Sequence, residues 1–343
     1  MKSPLIELGL TIPVLAAPMA GGPTTPDLVI AAAHAGGLGF LAGGYKGAAT
    51  LAEQITAVRS AGVGYGVNLF APNPVPVDGA AFREYAHTIA DEGRHHEVNL
   101  LDIPITEDDD HWRDKIDLLL ADPVPVVSFT FGIPAPSVIA ALRAGGTLVA
   151  QTVTSADEAR QAAEAGVDAL AVQASAAGGH SGTLTPAHIP PAVPITELLA
   201  RVREAVSLPL IAAGGLATPD AVAEVMGAGA AAVMVGTVLL RADEAATSAP
   251  FRAALADPAR GETLVTRAFT GRPARALPNL FTDRYSDIAP AGYPAVHYLT
   301  SPMRKAAAAA GDPERINLWA GTGHRHATAE PAGAILTRLA SLL

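Results

Sequence analysis

Cysteine is absent from the sequence. Disulfides, thiolate nucleophiles and zinc–sulfur sites are therefore excluded, and a cytoplasmic, reducing setting is expected. Charge is scarce. Asp, Glu, Lys and Arg make up 16% of the 343 residues, well below the usual share of about a quarter. Half of the chain is hydrophobic, enough for a large core in one big domain or one domain with an appendage. Basic residues are the scarcer sign, 23 against 33 acidic ones, and the net charge is −10. That balance argues against nucleic acid or an anionic membrane as partner. Lysine is limited to Lys2, Lys46, Lys115 and Lys305. No uninterrupted apolar run of membrane length is present either. The N-terminal "MKSPLIELGLTIPVL" is broken by Glu7 and Pro13, unlike a signal peptide. The stretch "LVIAAAHAGGLGFLAGG" is broken by His34 and glycines, and reads as a helix end followed by a buried strand.

What is present is a series of eight short apolar runs. They are "PVLAAPM" (13–19), "LGFLAGG" (38–44), "YGVNLF" (65–70), "VPVVSFT" (124–130), "TLVAQTV" (147–153), "ALAVQAS" (169–175), "PLIAAGG" (209–215) and "AAVMVGT" (231–237). Continuous rather than alternating apolarity marks strands buried on both faces, as in parallel sheets. Helical patterns lie between them. "SADEARQAAEAG" (155–166) and "TPDAVAEVMGAG" (218–229) each start with a hydroxyl residue and an acidic turn, and end at Ala-Gly. Eight strand–helix units predict an α/β fold, a (β/α)8 TIM barrel, with the reactive face at the C-terminal ends of the strands. A doubly wound sheet is the alternative, but the first turn, "APMAGGPTTP", is not a dinucleotide fingerprint.

Two segments depart from the repeat. Residues 71–123 form an extended third connection, with a polar helix predicted over 81–96, an acidic run "TEDDD" (106–110) and an amphipathic helix over 111–121. Asp108, Asp109 and Asp110 read as a solvated helix N-terminus rather than a cation site. Residues 241–326 read as a small lid-like capping region. The barrel is expected to comprise 1–240 together with a last helix in 327–343.

Loops after the last two barrel strands often bind phosphate through backbone N–H groups. Here they carry Gly214, Gly215, Gly236 and Thr237, and phosphate is expected there. Other strand ends offer Asn68, Ser128, Thr130, Gln151, Thr152 and Gln173, all neutral, and His180 just beyond. No lysine ends a late strand and no carboxylate pair closes one, which disfavours Schiff-base, enolase-type and two-carboxylate chemistry. A phosphorylated organic cofactor is the remaining source of chemical power. PLP would need a lysine; FMN needs only amides, hydroxyls and one acid/base. Glycines 178, 179 and 182 strip steric cover from His180, whose imidazole suits proton abstraction. His95–His96 and His324/His326 do not read as metal ligands, and no metal is expected.

The segments "PVLAAPMAGG", "AHAGGLGFLAGG", "GVNLF", "AAGGHSG", "PLIAAGGLAT", "AAVMVGT" and "FTGRPAR" resemble the nitronate monooxygenase (2-nitropropane dioxygenase) family, related to flavin-dependent enoyl-ACP reductases. The resemblance implies FMN over the barrel mouth. Its ring would meet Pro18, Met19, Ala20, Asn68 and Gln173, its phosphate would meet Gly214, Gly215, Gly236 and Thr237, and Gly179 and Gly182 would line the loop. His180 falls on the family's catalytic histidine. The implied reaction is oxidation of an alkyl nitronate or a nitroalkane by O2 to a carbonyl compound and nitrite. Tyr293 and Trp319 are candidate pocket walls. The chain departs from the family pattern at Ala174, where relatives have Gly, at Ala176, where they have Glu, and at Thr322, where they often have Gln. The sequence leaves open an NAD(P)H-dependent flavin reductase, a non-catalytic phosphate-binding barrel and a homo-oligomer.

Overall fold

The computed structural model describes residues 9–343, so Lys2 and Glu7 lie outside the described residues. Along the chain β1 (Val14–Ala16) leads to α1 (Pro26–His34), β2 (Leu38–Ala42) to α2 (Ala48–Ser60), and β3 (Tyr65–Ala71) to the long connection. This connection holds α3 (Gly79–Thr88), α4 (Ala90–Arg94) and α5 (Trp112–Ala121). Alternation resumes with β4 (Val126–Phe131), α6 (Pro136–Ala144), β5 (Leu148–Val153), α7 (Ala156–Ala165) and β6 (Ala169–Gln173). A two-residue strand, β7 (Gly179–His180), precedes α8 (Ile195–Ala205), β8 (Leu210–Ala213), α9 (Pro219–Gly227) and β9 (Ala232–Val235). All eight apolar runs form one closed parallel barrel in the order β1-β2-β3-β4-β5-β6-β8-β9, with β9 back on β1. The fold is a (β/α)8 barrel.

Local chemistry sets the helix boundaries. Thr25, Ser155 and Thr218 each cap a helix by accepting from a backbone N–H three residues on, and Pro26 and Pro219 follow two of these caps at the first helical position. Within the barrel the pleat sorts side chains. Leu15, Leu38, Phe40, Val126, Ile211 and Met234 pack on one another in one cluster. Val14, Leu41, Val67, Val127 and Val149 belong instead to the larger cluster shared with the surrounding helices. Both faces of each strand are therefore apolar, which is why the runs do not alternate.

The C-terminal part contains α10 (Ala249–Ala256), β10 (Leu264–Thr266), β11 (Ala274–Ala276), α11 (Leu280–Tyr285), α12 (Ala295–Ala309) and α13 (Ala332–Leu339). Helix α13 returns to the barrel core through Ala332, Ile335, Leu336 and Leu339. The predicted polar helix over 81–96 is two helices, α3 and α4, separated at Ile89. A separate hydrophobic cluster joins Phe82, Tyr85 and Leu100 of the long connection to Phe269, Phe281, Val296 and Met303. The two segments that break the repeat thus share one core above the barrel.

Candidate active site

A cavity of about 830 Å³ opens among the C-terminal ends of the strands and the overlying segments. Pro18, Met19 and Ala20 line it after β1, and Asn68 from β3. Gln173, Gly179 and His180 line it around β6 and β7; Gly214, Gly215, Gly236 and Thr237 follow β8 and β9. Sequence reasoning placed all of these at one site, and the fold brings them together. Gly182 is the exception. It is not a wall of the cavity; its N–H donates to Gln173 Oε1 at 2.7 Å. A Cβ there would lie 2.6 Å from Thr152 Cγ2, so this glycine serves loop packing.

His180 sits on a strand edge rather than a free loop. β7 pairs antiparallel with β11, with Ala274 opposite His180, and β11 pairs in turn with β10. Gln173 Nε2 donates to the His180 carbonyl at 3.1 Å while Gln173 Oε1 takes the Gly182 N–H, so one amide spans the loop. Arg272 donates to the carbonyls of Ser181 and Thr183. Glu158, buried on α7, accepts from Thr183 Oγ1 and from the Leu184 N–H, both at 2.8 Å. Ala176 in this loop carries no carboxylate; the carboxylate that holds the loop is that of Glu158. Two of the departing positions touch, since the Thr322 N–H donates to the Ala176 carbonyl at 3.0 Å.

The His180 ring lies among Phe131, Tyr293 and Trp319, with ring centres 5.8, 5.8 and 5.3 Å away. Its Nε2 is 2.9 Å from Thr270 Oγ1. Burial, reinforced by the positive charges of Arg272 and Arg304, lowers its pKa from 6.5 to about 3. The imidazole is therefore neutral at physiological pH. Asn68 donates to Ser128 Oγ and Thr130 Oγ1 at 2.9 and 3.0 Å, and Thr130 meets Thr152 at 3.2 Å.

Also along the cavity, the N–H groups of Gly214, Gly215, Gly236 and Thr237 have no acceptor among the described residues. Gly214 and Gly215 take positive φ, +106° and +79°. Thr237 Oγ1 accepts the Gly321 N–H at 3.0 Å and keeps its own O–H to donate. Four unsatisfied N–H groups and a hydroxyl beside a cavity form a donor set suited to a phosphate.

The structure corrects one reading. Asp110 is not a solvated helix end. Its carboxylate accepts from the Tyr45 N–H at 2.8 Å and pairs with Lys115, itself 1% exposed, at 2.7 Å. Helix α5 starts two residues later, and Asp108 accepts from the Tyr298 hydroxyl. Sequence reasoning also missed Tyr45, Lys46, His297, Arg304, Lys305 and Gly321 as cavity walls. Trp319 lines the cavity; Tyr293 packs against His180 behind it. Away from this site, His95, His96 and Asp312 bring ligand atoms within 4.8 Å, but Arg315 already donates to the same Asp312 oxygen as His96.

A family model described as nitronate monooxygenase matches residues 2–341. The chain belongs to the nitronate monooxygenase family. It is accordingly a flavin-dependent oxidoreductase. A probable nitronate monooxygenase of Staphylococcus aureus is 35% identical over 338 residues, covering 97% of this chain and 94% of the relative. Among solved structures, nitroalkane oxidase from Streptomyces ansochromogenes superposes with a TM-score of 0.93 at 45% identity, over 99% of this chain and 97% of the other. FabK from Thermotoga maritima gives a TM-score of 0.75 at 25% identity, over 99% and 95%. No helix among the described residues is long and apolar enough to cross a membrane.

Proposed function

We propose that this nitronate monooxygenase family member binds FMN at the barrel mouth and oxidises alkyl nitronates, and nitroalkanes through their nitronates, with O2 to carbonyl compounds and nitrite. The observation that carries this reading is a neutral imidazole, His180, sharing one cavity with four unpaired backbone N–H groups. When bound, FMN supplies the redox chemistry, taking electrons from the substrate and delivering them to oxygen. Gly214, Gly215, Gly236 and Thr237 hold its phosphate. Pro18, Met19, Ala20 and Asn68 border its ring, and Gln173 fixes the His180 loop beside it. Residues 241–326 cap the substrate, and the barrel of 1–240 with 327–343 carries the cofactor.

His180 acts on the substrate's α-carbon. Thr270 Oγ1 is also 3.3 Å from the Arg272 carbonyl. A hydroxyl donating to that carbonyl accepts from His180 Nε2–H, which leaves Nδ1 as the basic nitrogen. His180 Nδ1 takes the proton of a neutral nitroalkane, and the same ring positions a nitronate that arrives already deprotonated. The aromatic walls exclude water around it.

The test is a yellow purified protein. His180→Ala is expected to keep the colour and to lose roughly a hundredfold in nitroalkane oxidation, the usual scale of a general base. A colourless protein that stays colourless with added FMN, or a fully active variant, would overturn the reading. The likeness to FabK favours a second reading, an NAD(P)H-dependent flavin reductase. Anaerobic mixing with NADPH decides between them, because only the reductase bleaches.

A further inference from the structure

Arg304, on α12, lines the cavity. It donates from Nε to Thr300 Oγ1 at 3.0 Å, from Nη1 to Asn317 Oδ1 at 2.9 Å, and from Nη2 to His297 Nδ1 and the His297 carbonyl at 3.2 and 3.0 Å. Every one of these partners is neutral. Four of the five guanidinium N–H bonds are committed, and one on Nη1 is left over. The groups that interact with its charge are Tyr45 and Tyr293, not a carboxylate, and burial lowers its pKa to about 10. Arg304 is partly buried, and a charge withdrawn from bulk water is ordinarily paired because an isolated one carries a desolvation cost. Lys46 and Lys305 line the same cavity, and the lining carboxylate, Asp110, is already matched by Lys115. Among the described residues, Arg304 and Lys46 have no carboxylate partner beside this cavity, while Lys305 is exposed to solvent.

Side-chain contacts connect Arg304 to the His180 imidazole through His297 and Tyr293. His297, which Arg304 grips, stacks on Tyr45 with ring centres 4.3 Å apart and planes at 1°. Tyr293 bridges the two histidines, 6.4 Å from His297 and 5.8 Å from His180. The phosphate cradle is built from other elements, the turns after β8 and β9 with Gly321.

We propose that Arg304 is the anion-binding residue of the substrate subsite, supplying the counter-charge and one N–H to the nitronate group of the substrate. The proposal rests on the nitronate-oxidising reading above. It makes the cavity selective for the anion over the neutral nitroalkane, and it places positive charge where negative charge develops when His180 takes the α-proton.

Nitrate, a planar inert anion, is the probe. Titrated into the protein as purified, nitrate is expected to bind the wild type and to compete with ethylnitronate. Arg304→Gln is expected to weaken nitrate about tenfold or more, and Arg304→Lys, which keeps the charge, to stay within about threefold. In Arg304→Gln the KM for ethylnitronate rises, whereas with neutral nitroethane KM holds and kcat falls, because only the transition state is then anionic. FMN and riboflavin retention identify the alternative anion. A variant that loses FMN but keeps riboflavin and nitrate would assign Arg304 to the cofactor phosphate and overturn the proposal. Equal loss of nitrate in the Lys and Gln variants would also overturn it, since charge would then not be the cause. Wild-type nitrate that fails to compete with nitronate would do the same without any variant. Arg304-dependent nitrate binding in a protein that oxidises no nitronate would support the anion subsite while removing the functional reading.

Discussion

The imidazole Nε2 of His180 and the hydroxyl of Thr270 lie 2.9 Å apart, joined across 90 residues of sequence. Thr270 belongs to the turn that also supplies Arg272, whose guanidinium lies over the Phe131 ring at 3.9 Å and donates to the carbonyls flanking Gly182. One short segment thus fixes both the orientation of the ring and the backbone that carries it.

Thr270→Val should cut the rate with neutral nitroalkanes about tenfold while changing the rate with preformed nitronate much less, because a free ring loses the tautomer with Nδ1 as base. Thr270→Ser should restore most of the rate. Steady-state kinetics with nitroethane and ethylnitronate measure this, and equal losses on both substrates would show that the hydroxyl does not set the tautomer.

Acid should destabilise the fold through His180. Its folded-state pKa is about 3 against an ordinary value of 6.5. Between those values the unfolded chain binds a proton that the folded chain refuses, so stability falls as pH drops below about 6.5 and goes on falling toward about 3. Buried His297, also held well below its ordinary value by burial, acts in the same direction. Unfolding midpoints from pH 7 down to pH 5 read the slope, and His180→Gln should flatten it. A slope identical in the variant would mean that the wild-type imidazole takes up its proton while folded.

Removing the Glu158 carboxylate should loosen the His180 loop. Thr183 Oγ1 and the Leu184 N–H would lose their acceptor inside the protein, and Glu158→Ala should cost about 3 kcal/mol, within the range for stranded buried donors. Chemical denaturation gives the number, and a loss below about 1 kcal/mol would show that other groups or water replace the carboxylate.

Thr237→Val should weaken FMN about tenfold and affect riboflavin much less, since the hydroxyl's own O–H is left to donate to the phosphate that riboflavin lacks. Flavin fluorescence titration of the apoprotein distinguishes the two ligands. Parallel losses for both would place Thr237 at the ring instead.

The barrel was legible because its signals are local. A strand buried on both faces must be apolar throughout, as in "YGVNLF" or "ALAVQAS", and the capping Thr25, Ser155 and Thr218 act within one turn. The place of Gly214, Gly215, Gly236 and His180 on the cavity wall was legible for a related reason: they follow strands whose order in the barrel is fixed by connectivity. Asp110 was misread because a helix N-terminus explains an acidic run locally, while its real partners, Tyr45 and Lys115, depend on how the long connection folds back.

By itself, then, the sequence determined the eight-stranded barrel, the turns that expose backbone N–H groups, and the histidine beyond β6, since each follows from hydrophobic pattern, turn chemistry and chain order. Only the tertiary structure decided that Thr270 meets that histidine and that Arg272 and Glu158 hold the loop that carries it. Those side chains come from two separate segments, and their meeting depends on packing across the barrel mouth, which no pattern within a single segment encodes.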